Sequence, residues 1–449
     1  MIALLAPGTA GAATRILVRG AGYGHGIGMS QYGALGYARH GFDYRSILAR
    51  YYLHTSLGTV TGGTVRVLLQ PGVPAASFRG ASRAGARRLR PSTTYQVRRV
   101  SGGRLGLYRG SHLVGRFAAP LRVYRPGHSV RLLGRAIDGV TSGRYRGALQ
   151  FTPAGGAVDV VNALGVDPYA QGVVPGEMPT SWPMEAVKAQ AVAARTFALG
   201  VLKRGGVFDV YPDTRSQVYR GVAGESARGN AAVRATARQV ITYQGRPIVA
   251  YFFSTSGGHT ENVENVFLGS KPEAYLKGVP DPYEGNAPRH RWRLGFSPGQ
   301  MKARLGSLVR GSFVTIRVLK RGVSPRIVWA RVYGTSGSRR VSGPTLRARL
   351  GLYDTWASFY RVSTAQARAG SVVAALLGLP GRKVPELTGI FDPAPRSGRL
   401  VVERLRGGRW RSVRSVRTTP AGRYRVWVGK PGVYRVRAGS LAGPAVHVR

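Results

Sequence analysis

The sequence predicts an α+β fold: a mixed domain rich in short strands with a few buried helices, followed by a small antiparallel β-sandwich-like domain. Three observations predict it. Short apolar runs are broken by Gly, Pro and Ser, a helix of small residues follows Pro183, and period-two alternation recurs after residue 395. With 449 residues and 43% hydrophobic content, the chain can bury a large core divided between domains.

The first residues, MIALLAPGTAGAA, read as the remnant of a secretory signal. The apolar run is short and ends in small residues near Ala10 to Ala13, which a signal peptidase could accept. It is also too short and too broken to span a membrane. We therefore predict an exported protein of the cell wall or extracellular space, without a transmembrane segment.

The pattern of apolar, Gly and Pro residues changes several times along the rest of the chain. A Gly-rich run and an amphipathic helix (Tyr44, Ile47, Leu48, Tyr51, Tyr52) occupy 14–60, and short strands fill 64–161. Helix returns after Pro183, and strands with at least one helix near Asn230 to Ala237 continue to about 350. The predicted domains are 1–13 (signal remnant), 14–378 (main domain, with parts 14–60, 64–161 and 162–362), 379–394 (Pro- and Gly-rich linker) and 395–449 (small β-domain).

The charge balance is strongly basic. Lys and Arg number 67 against 18 Asp and Glu, which gives a formal net charge of +49 and predicts attraction to polyanions. Nucleic acid, anionic wall polymers and lipid head groups all satisfy this electrostatics, and compositional drift toward Arg is an equal alternative for any single position. Since aromatic residues do not alternate with Arg in a recognisable nucleic-acid-binding motif, we predict no specific nucleic acid partner.

The sequence contains no cysteine, so it offers neither a disulfide nor a thiolate metal site. His259 and Glu261 could contribute to a metal site, but the other histidines are scattered. We predict no metal and no cofactor.

Two glutamates flank the start of the small-residue helix. Glu185 follows Pro183 by two residues, where a helix start favours an anion. Glu177 lies in a predicted Gly- and Pro-bracketed loop, GVVPGEMP, among apolar residues, where burial would raise the pKa of a carboxyl and let it act as a general acid. The alternative is a loop carboxylate that accepts bonds from helix N–H groups. The helix itself should be buried on most sides, so that its polar Gln190 and Arg195 need partners or line a cleft.

Three polar stretches could bind a ligand. In GAGYGHGIGMSQYGA the glycines never complete a phosphate-binding fingerprint, but they allow close backbone approach beside His25, Ser30 and Gln31. The other two are SQVYRG, with Gln217 and Tyr219, and YFFSTSGGHTENVENVF, where a predicted strand ends near Ser254, Ser256 and His259. A tight turn with incidental polar residues is the alternative for the first stretch.

Together these stretches and GVVPGEMPTSWPMEAVKAQAVAARTFAL resemble the stage II sporulation protein D family, also called the amidase-enhancer family. The resemblance covers about 16–362. It implies a peptidoglycan lytic transglycosylase that cuts between N-acetylmuramic acid and N-acetylglucosamine and leaves a 1,6-anhydro end, with Glu177 as the catalytic residue. One carboxylate suffices for that reaction, whereas most glycosidases use two.

The resemblance has two departures. GHGxGMSQ opens this chain, whereas in many members it lies near the end of the catalytic domain, so the sequence resembles a circular permutation that requires 14–60 to pack beside the Glu177 segment. A zinc site that uses cysteine in some members does not transfer. The family also contains proteins that stimulate a partner amidase.

The predicted function is therefore a secreted lytic transglycosylase acting on peptidoglycan glycan strands. The alternative is a non-catalytic wall-binding protein that enhances a wall amidase. Glu177 is the predicted catalytic residue, and the predicted substrate-binding residues are His25, Ser30, Gln31, Gln190, Arg195, Gln217, Tyr219, Ser254, Ser256 and His259. The small C-terminal domain is a candidate for wall attachment.

Overall fold

The computed structural model describes residues 13–203, 205–366 and 386–448. Their contacts form two compact units: Gly26–Ala287, and the described residues up to His25 together with those from Pro288 onward. Both units combine helices with antiparallel strands, which confirms the predicted α+β class. Nearly all of the predicted signal remnant lies outside the described residues.

The helices of the described residues are short, apart from the one after Pro183. They are α1 Gln31–Arg39, α2 Tyr44–Tyr51, α3 Val166–Glu177, α4 Met184–Gly200, α5 Ala227–Ala235, α6 Val263–Val266, α7 Pro298–Leu305 and α8 Gly343–Leu350. Within the described ranges, no helix has both the length and the apolar composition needed to cross a membrane.

The strands are mostly short as well. They are β1 Ala13–Ala21, β2 Met29–Ser30, β3 Ser56–Thr59, β4 Thr64–Val73, β5 Ala75–Arg79, β6 Arg83–Ala84, β7 Arg87–Arg88, β8 Tyr95–Arg99, β9 Leu105–Arg109, β10 His112–Phe117, β11 Leu121–Tyr124, β12 Val130–Leu132, β13 Arg144–Tyr145, β14 Ala148–Ala154, β15 Ala157–Gly165, β16 Gln239–Tyr243, β17 Arg246–Pro247, β18 Phe252–Phe253, β19 Arg291–Phe296, β20 Phe313–Arg321, β21 Ile327–Gly334, β22 Gly337–Ser342, β23 Ala357–Gln366, β24 Glu386–Asp392, β25 Arg399–Arg406, β26 Arg409–Arg417, β27 Arg423–Trp427, β28 Gly432–Ala438, β29 Leu441–Ala442 and β30 Val446–Val448.

The β-rich part of unit Gly26–Ala287 consists of two six-stranded sheets, ordered β10-β9-β8-β5-β12-β13 and β4-β15-β14-β11-β6-β7. Alternate residues of each sheet bury their side chains in one shared core, to which Val67 contributes from one sheet and Phe78 from the other. The period-two patterns that predicted strands in 64–161 are thus explained by burial of one face of each sheet.

Helix α4 is the centre of the helical part of unit Gly26–Ala287, the part that follows the two six-stranded sheets in the chain. Twelve of its 17 residues are buried, as the small-residue pattern predicted. Its faces contribute to three apolar clusters: with the β-rich core, with α3 and α5, and with the Gly-rich N-terminal segment and α2. Ala is frequent in α4 because helices on several sides leave little room for longer side chains.

The second unit begins with β1, which pairs with β19 and β23 in a five-stranded sheet of order β19-β1-β23-β24-β27. A three-stranded sheet, β20-β21-β22, packs with α7 and α8 around one apolar core. Strands β25 to β30, apart from β27, form the last sheet, and its core also includes Leu17 and Val362.

The division into units differs from the predicted domains. The main domain predicted for 14–378 is divided between both units, and β24 lies inside the predicted linker 379–394. Residues 395–449 contribute one sheet of their own, but β27 leaves it, pairs with β24 and extends the sheet that holds β1. Strand β24 was not predicted because the surrounding Pro and Gly residues are typical of a linker, although its Leu387 and Phe391 are buried. Residues 379–385 of the predicted linker lie outside the described range.

Candidate functional site

Glu177 is the last residue of α3, which corrects the predicted loop. The helix continues through Gly172, Pro175 and Gly176 because Val166, Tyr169, Ala170, Val173 and Val174 are buried, so packing overrides weak propensity. The glycines have a packing role. A Cβ at Gly172 would lie 2.6 Å from the Tyr219 ring, and one at Gly176 would lie 3.0 Å from Val218 Cγ1.

These glycines let the SQVYRG segment approach the carboxyl of Glu177. The backbone N–H of Val218 donates a hydrogen bond to Glu177 Oε1, with a distance of 2.6 Å. The side chain is half-buried, and burial raises the pKa of Glu177, while the Val218 bond opposes that shift. The end of a helix also disfavours an added negative charge. Glu177 therefore keeps its proton at higher pH than an exposed glutamate.

The neighbours of Val218 hold this N–H in place. Gln217 accepts a hydrogen bond from the Tyr169 hydroxyl at 2.9 Å, and Tyr219 donates one to Asn162 Oδ1 at 2.6 Å. Both Gln217 and Tyr219 are buried. Their predicted role as substrate contacts is thus corrected: with internal partners for their polar groups, they position Val218.

The Gly-rich N-terminal stretch reaches the same place. Strand β2 pairs in parallel with β18, which sets Met29 opposite Phe252 and Ser30 opposite Phe253. Gly28 has φ +72° and approaches the Tyr251 carbonyl closely, so this glycine serves backbone packing. Gln31 Nε2 then donates to the backbone oxygen of Glu177 at 2.9 Å. The Gly-rich stretch therefore contacts the Glu177 segment directly in this unit.

Gln190 and Arg195 lie on α4 and are completely buried. Gln190 Oε1 accepts from Gln31 Nε2 at 3.4 Å. Arg195 pairs with Asp167 at 2.6 Å and donates to the Gln239 carbonyl at 2.9 Å, which ties α4 to α3 and β16. Arg195 was predicted as a substrate contact; the correction is that its partners are all internal. Gln190 likewise has an internal partner, because its side-chain oxygen accepts from Gln31.

Ser30 and Ser256 belong to a buried acidic cluster that the sequence analysis missed. Ser30 Oγ donates to Glu284 Oε2 at 3.3 Å, and the Ser256 N–H donates to the same oxygen at 2.5 Å. Asp281, 1% exposed, accepts from the Tyr51 hydroxyl at 2.8 Å. Burial and the nearby Glu284 carboxylate raise the pKa of Asp281 to about 6. Both serines are fully buried, which corrects their predicted role in binding substrate. The sequence signal for this cluster is the pair of acids in PDPYEG, Asp281 and Glu284.

Ser254 and His259 are half-buried in the loop that follows β18. The Ser254 carbonyl accepts from Tyr32 N–H at 3.0 Å, and His259 Nδ1 lies 2.7 Å from the Thr260 carbonyl. The rings of Tyr32 and Trp182, which sequence reasoning also missed, meet edge to face at 4.9 Å. Ser254, His259 and the two rings are half-buried, and Tyr32 directly follows Gln31, the residue that contacts the Glu177 backbone.

Glu185 lies in the first turn of α4, as predicted. Its Oε2 accepts from the Tyr44 N–H at 3.0 Å and its Oε1 pairs with Lys188 at 2.7 Å, so it links the starts of α2 and α4. His25 belongs to the other unit. Within the described residues, no group of three or more His, Asp or Glu side chains could hold a metal ion; Glu261 Oε1 accepts instead from Asn262 N–H and Asn265 Nδ2.

The fold and this site define a mixed α+β protein with a half-buried glutamate at the junction of α3, the SQVYRG segment and the Gly-rich stretch. Residues 154–243, which include Glu177, match the family model described as "Stage II sporulation protein". Over this segment the chain is thus similar to the stage II sporulation protein D family.

Several curated proteins are similar to this chain. Stage II sporulation protein D of Bacillus amyloliquefaciens is 30% identical over 210 residues, which are 43% of this chain and 59% of that protein. The amidase enhancer of Bacillus subtilis is 39% identical over 146 residues, 32% of this chain and 19% of that protein. An uncharacterized protein of Brachyspira hyodysenteriae is 42% identical over 149 residues, 32% of this chain and 39% of that protein. The chain thus spans less than two thirds of these relatives, and no solved structure matches it.

Proposed function

We propose that the protein is an exported lytic transglycosylase that cleaves the MurNAc–GlcNAc bond of peptidoglycan and leaves a 1,6-anhydroMurNAc end. One observation carries the proposal: a single half-buried glutamate, Glu177, has its pKa raised by burial and one carboxyl oxygen fixed by the Val218 N–H. A general acid needs a raised pKa and a fixed orientation, and this arrangement favours both.

The hydrogen bond assigns separate roles to the two carboxyl oxygens. Since Oε1 accepts from Val218, the transferable proton belongs on Oε2. In the first step Oε2–H protonates the glycosidic oxygen as the bond to C1 breaks. The Glu177 carboxylate then takes the proton of the sugar's own C6 hydroxyl as that oxygen bonds to C1, which restores the acid without water. The Val218 N–H stabilises the carboxylate between the two steps.

Substrate contacts are proposed for the accessible groups around this carboxyl. Ser254 and His259 offer polar groups, and the half-exposed rings of Tyr32 and Trp182 offer the apolar surface typical of ligand sites. The buried Gln31 holds the backbone of Glu177 in place. His25 stays a proposed contact from the sequence alone. No cofactor takes part in this mechanism.

The relatives support a role at the cell wall, because they are named for sporulation stage II and for enhancement of an amidase. The test is to incubate the purified chain with glycan strands freed of stem peptides and to analyse the products by mass spectrometry. We expect fragments lighter by one water than hydrolysis products, which identifies the anhydro end. Fragments with ordinary reducing ends would instead indicate a hydrolase.

The second candidate is a non-catalytic wall protein that enhances a peptidoglycan amidase, favoured by the printed name of one relative. Its signature would be binding of intact wall without glycan cleavage, together with faster release of stem peptides when a wall amidase is added. Under this alternative Glu177→Gln would leave the stimulation unchanged.

A further inference from the structure

Three arginines stand side by side on three neighbouring strands of the β-rich part, and we call this row the arginine rung. Arg131 in β12 lies directly opposite Arg79 in β5 and directly opposite Arg144 in β13. The adjacent residues Phe78, Val130 and Tyr145 are buried, so the three arginines share the outer face of the sheet. Like charges directly opposite each other destabilise a sheet unless a counter-charge lies between them.

The rung lines a concave surface. A cavity of about 390 Å³ is bounded by Arg79, Gly80, Pro91, Arg125, His128, Ser129, Arg131 and Arg144. None of these eight residues is acidic. Within the described part of the chain, the four guanidinium groups have neither an ion pair nor a side-chain hydrogen bond, whereas Arg66, Arg146 and Arg195 all pair with carboxylates. Arg79, Arg131 and Arg144 are exposed, Arg125 is half-buried, and all four line the same cavity.

The cavity continues into a larger one. Arg125 and His128 also line a cavity of about 620 Å³, to which Arg122 and Arg146 contribute. Two cationic cavities that share their boundary residues fit successive charges along a flexible chain better than they fit one small ion. Apart from the His128 imidazole, the only aromatic side chain in either lining is Tyr124. Sites for single-stranded nucleic acid combine a basic groove with several aromatic stacking surfaces, so the composition favours a polyanion without bases.

We propose that the trough lined by Arg79, Arg125, Arg131 and Arg144 binds the phosphate groups of a flexible, base-free phosphodiester polymer. Guanidinium groups suit phosphate because they donate two parallel hydrogen bonds each, and a phosphate between the rung residues would offset their mutual repulsion. The trough is built from residues other than those around Glu177, so it is independent of the proposed cleavage reaction. It would hold the protein on an anionic wall polymer.

The test compares two triple substitutions of equal charge in the full chain. Arg79→Gln/Arg131→Gln/Arg144→Gln removes the rung. The control is Arg317→Gln/Arg331→Gln/Arg340→Gln, which removes another cross-strand set of three, whose Arg317 and Arg340 lie over the rings of Tyr333 and Trp329 at 5.6 and 4.0 Å. Binding of poly(glycerol phosphate) is measured by titration at several salt concentrations, and thermal unfolding checks that both variants fold.

We expect the rung variant to lose at least ~10-fold in affinity and to lower the salt slope by about 2, since roughly 0.7 counterions are released per neutralised single-strand charge. The control should change affinity by less than ~2-fold, as two of its three guanidinium groups already lie over rings. Polyglutamate and an oligonucleotide of equal charge should bind more weakly and respond little to the rung substitutions. Equal losses in both variants, or stronger rung-dependent binding of either competitor, would overturn the proposal. If the triple rung variant fails to fold, Arg131→Gln alone replaces it in the same comparison. We expect Arg131→Gln to lose ~3-fold in affinity for poly(glycerol phosphate).

Discussion

Asp281 holds a negative charge in a place that disfavours it, and Asp281→Asn should therefore stabilise the protein at neutral pH. Burial and Glu284 raise the pKa of Asp281 from 3.8 to about 6. The folded state thus binds a proton that the unfolded state has already released between these two pH values. Stability is lost as pH rises through this window, by ~3 kcal/mol in total if each pH unit contributes about 1.4 kcal/mol. Asn keeps an oxygen for the Tyr51 hydroxyl, so the cluster keeps its shape.

The assay is urea unfolding of parent and variant from pH 4 to pH 8. The advantage of Asp281→Asn should be near zero at pH 4 and approach ~3 kcal/mol above pH 7. Asp43→Asn is the control of opposite sign, because hydrogen bonds from Ser46 lower the pKa of Asp43. The unfolding free energy of the parent should therefore increase relative to that of Asp43→Asn as pH rises. An Asp281→Asn advantage that is independent of pH, or that shrinks as pH rises, would refute the reasoning.

Two further predictions concern the support of Glu177. Gly172→Ala should cost about 1–3 kcal/mol in urea unfolding because its Cβ would meet the Tyr219 ring, whereas Gly156→Ala, with nothing within 4 Å, should be close to neutral. Gln31→Ala should reduce glycan cleavage by ~10–100-fold through loss of the bond that positions Glu177, and Gln300→Ala, an exposed helix cap of the other unit, should not. Unchanged cleavage in Gln31→Ala would separate this residue from the site.

Local patterns predicted much of the fold. The spacing of apolar residues predicted α2 and the buried α4, and Pro183 predicted where α4 begins, because these signals depend on burial of one helix face or on the helix start. Helix α3 was missed since Gly172, Pro175 and Gly176 oppose it locally and only packing retains it. The strand predicted to end near Ser254 pairs only over the two residues of β18.

Long-range pairing was beyond the sequence patterns. Nothing local indicates that β1 pairs with β19 and β23, far along the chain, or that β27 extends the same sheet. The polar residues of the site show the same limit. A sequence indicates that Arg195 and Gln217 are polar in apolar surroundings, but it cannot say whether a ligand or a neighbouring strand satisfies them. The raised pKa of the Glu177 carboxyl was predictable, because the residues next to it in the sequence are apolar.

Comparing Glu177→Gln with Glu185→Gln in the same glycan assay tests the central claim most directly. Glu177→Gln keeps an oxygen for the Val218 N–H but removes the transferable proton, so anhydro products should fall by at least ~10² while glycan binding survives. Glu185→Gln weakens only the junction of α2 and α4 and should leave anhydro products near the parental level. Anhydro products from Glu177→Gln at close to the parental rate would contradict the account.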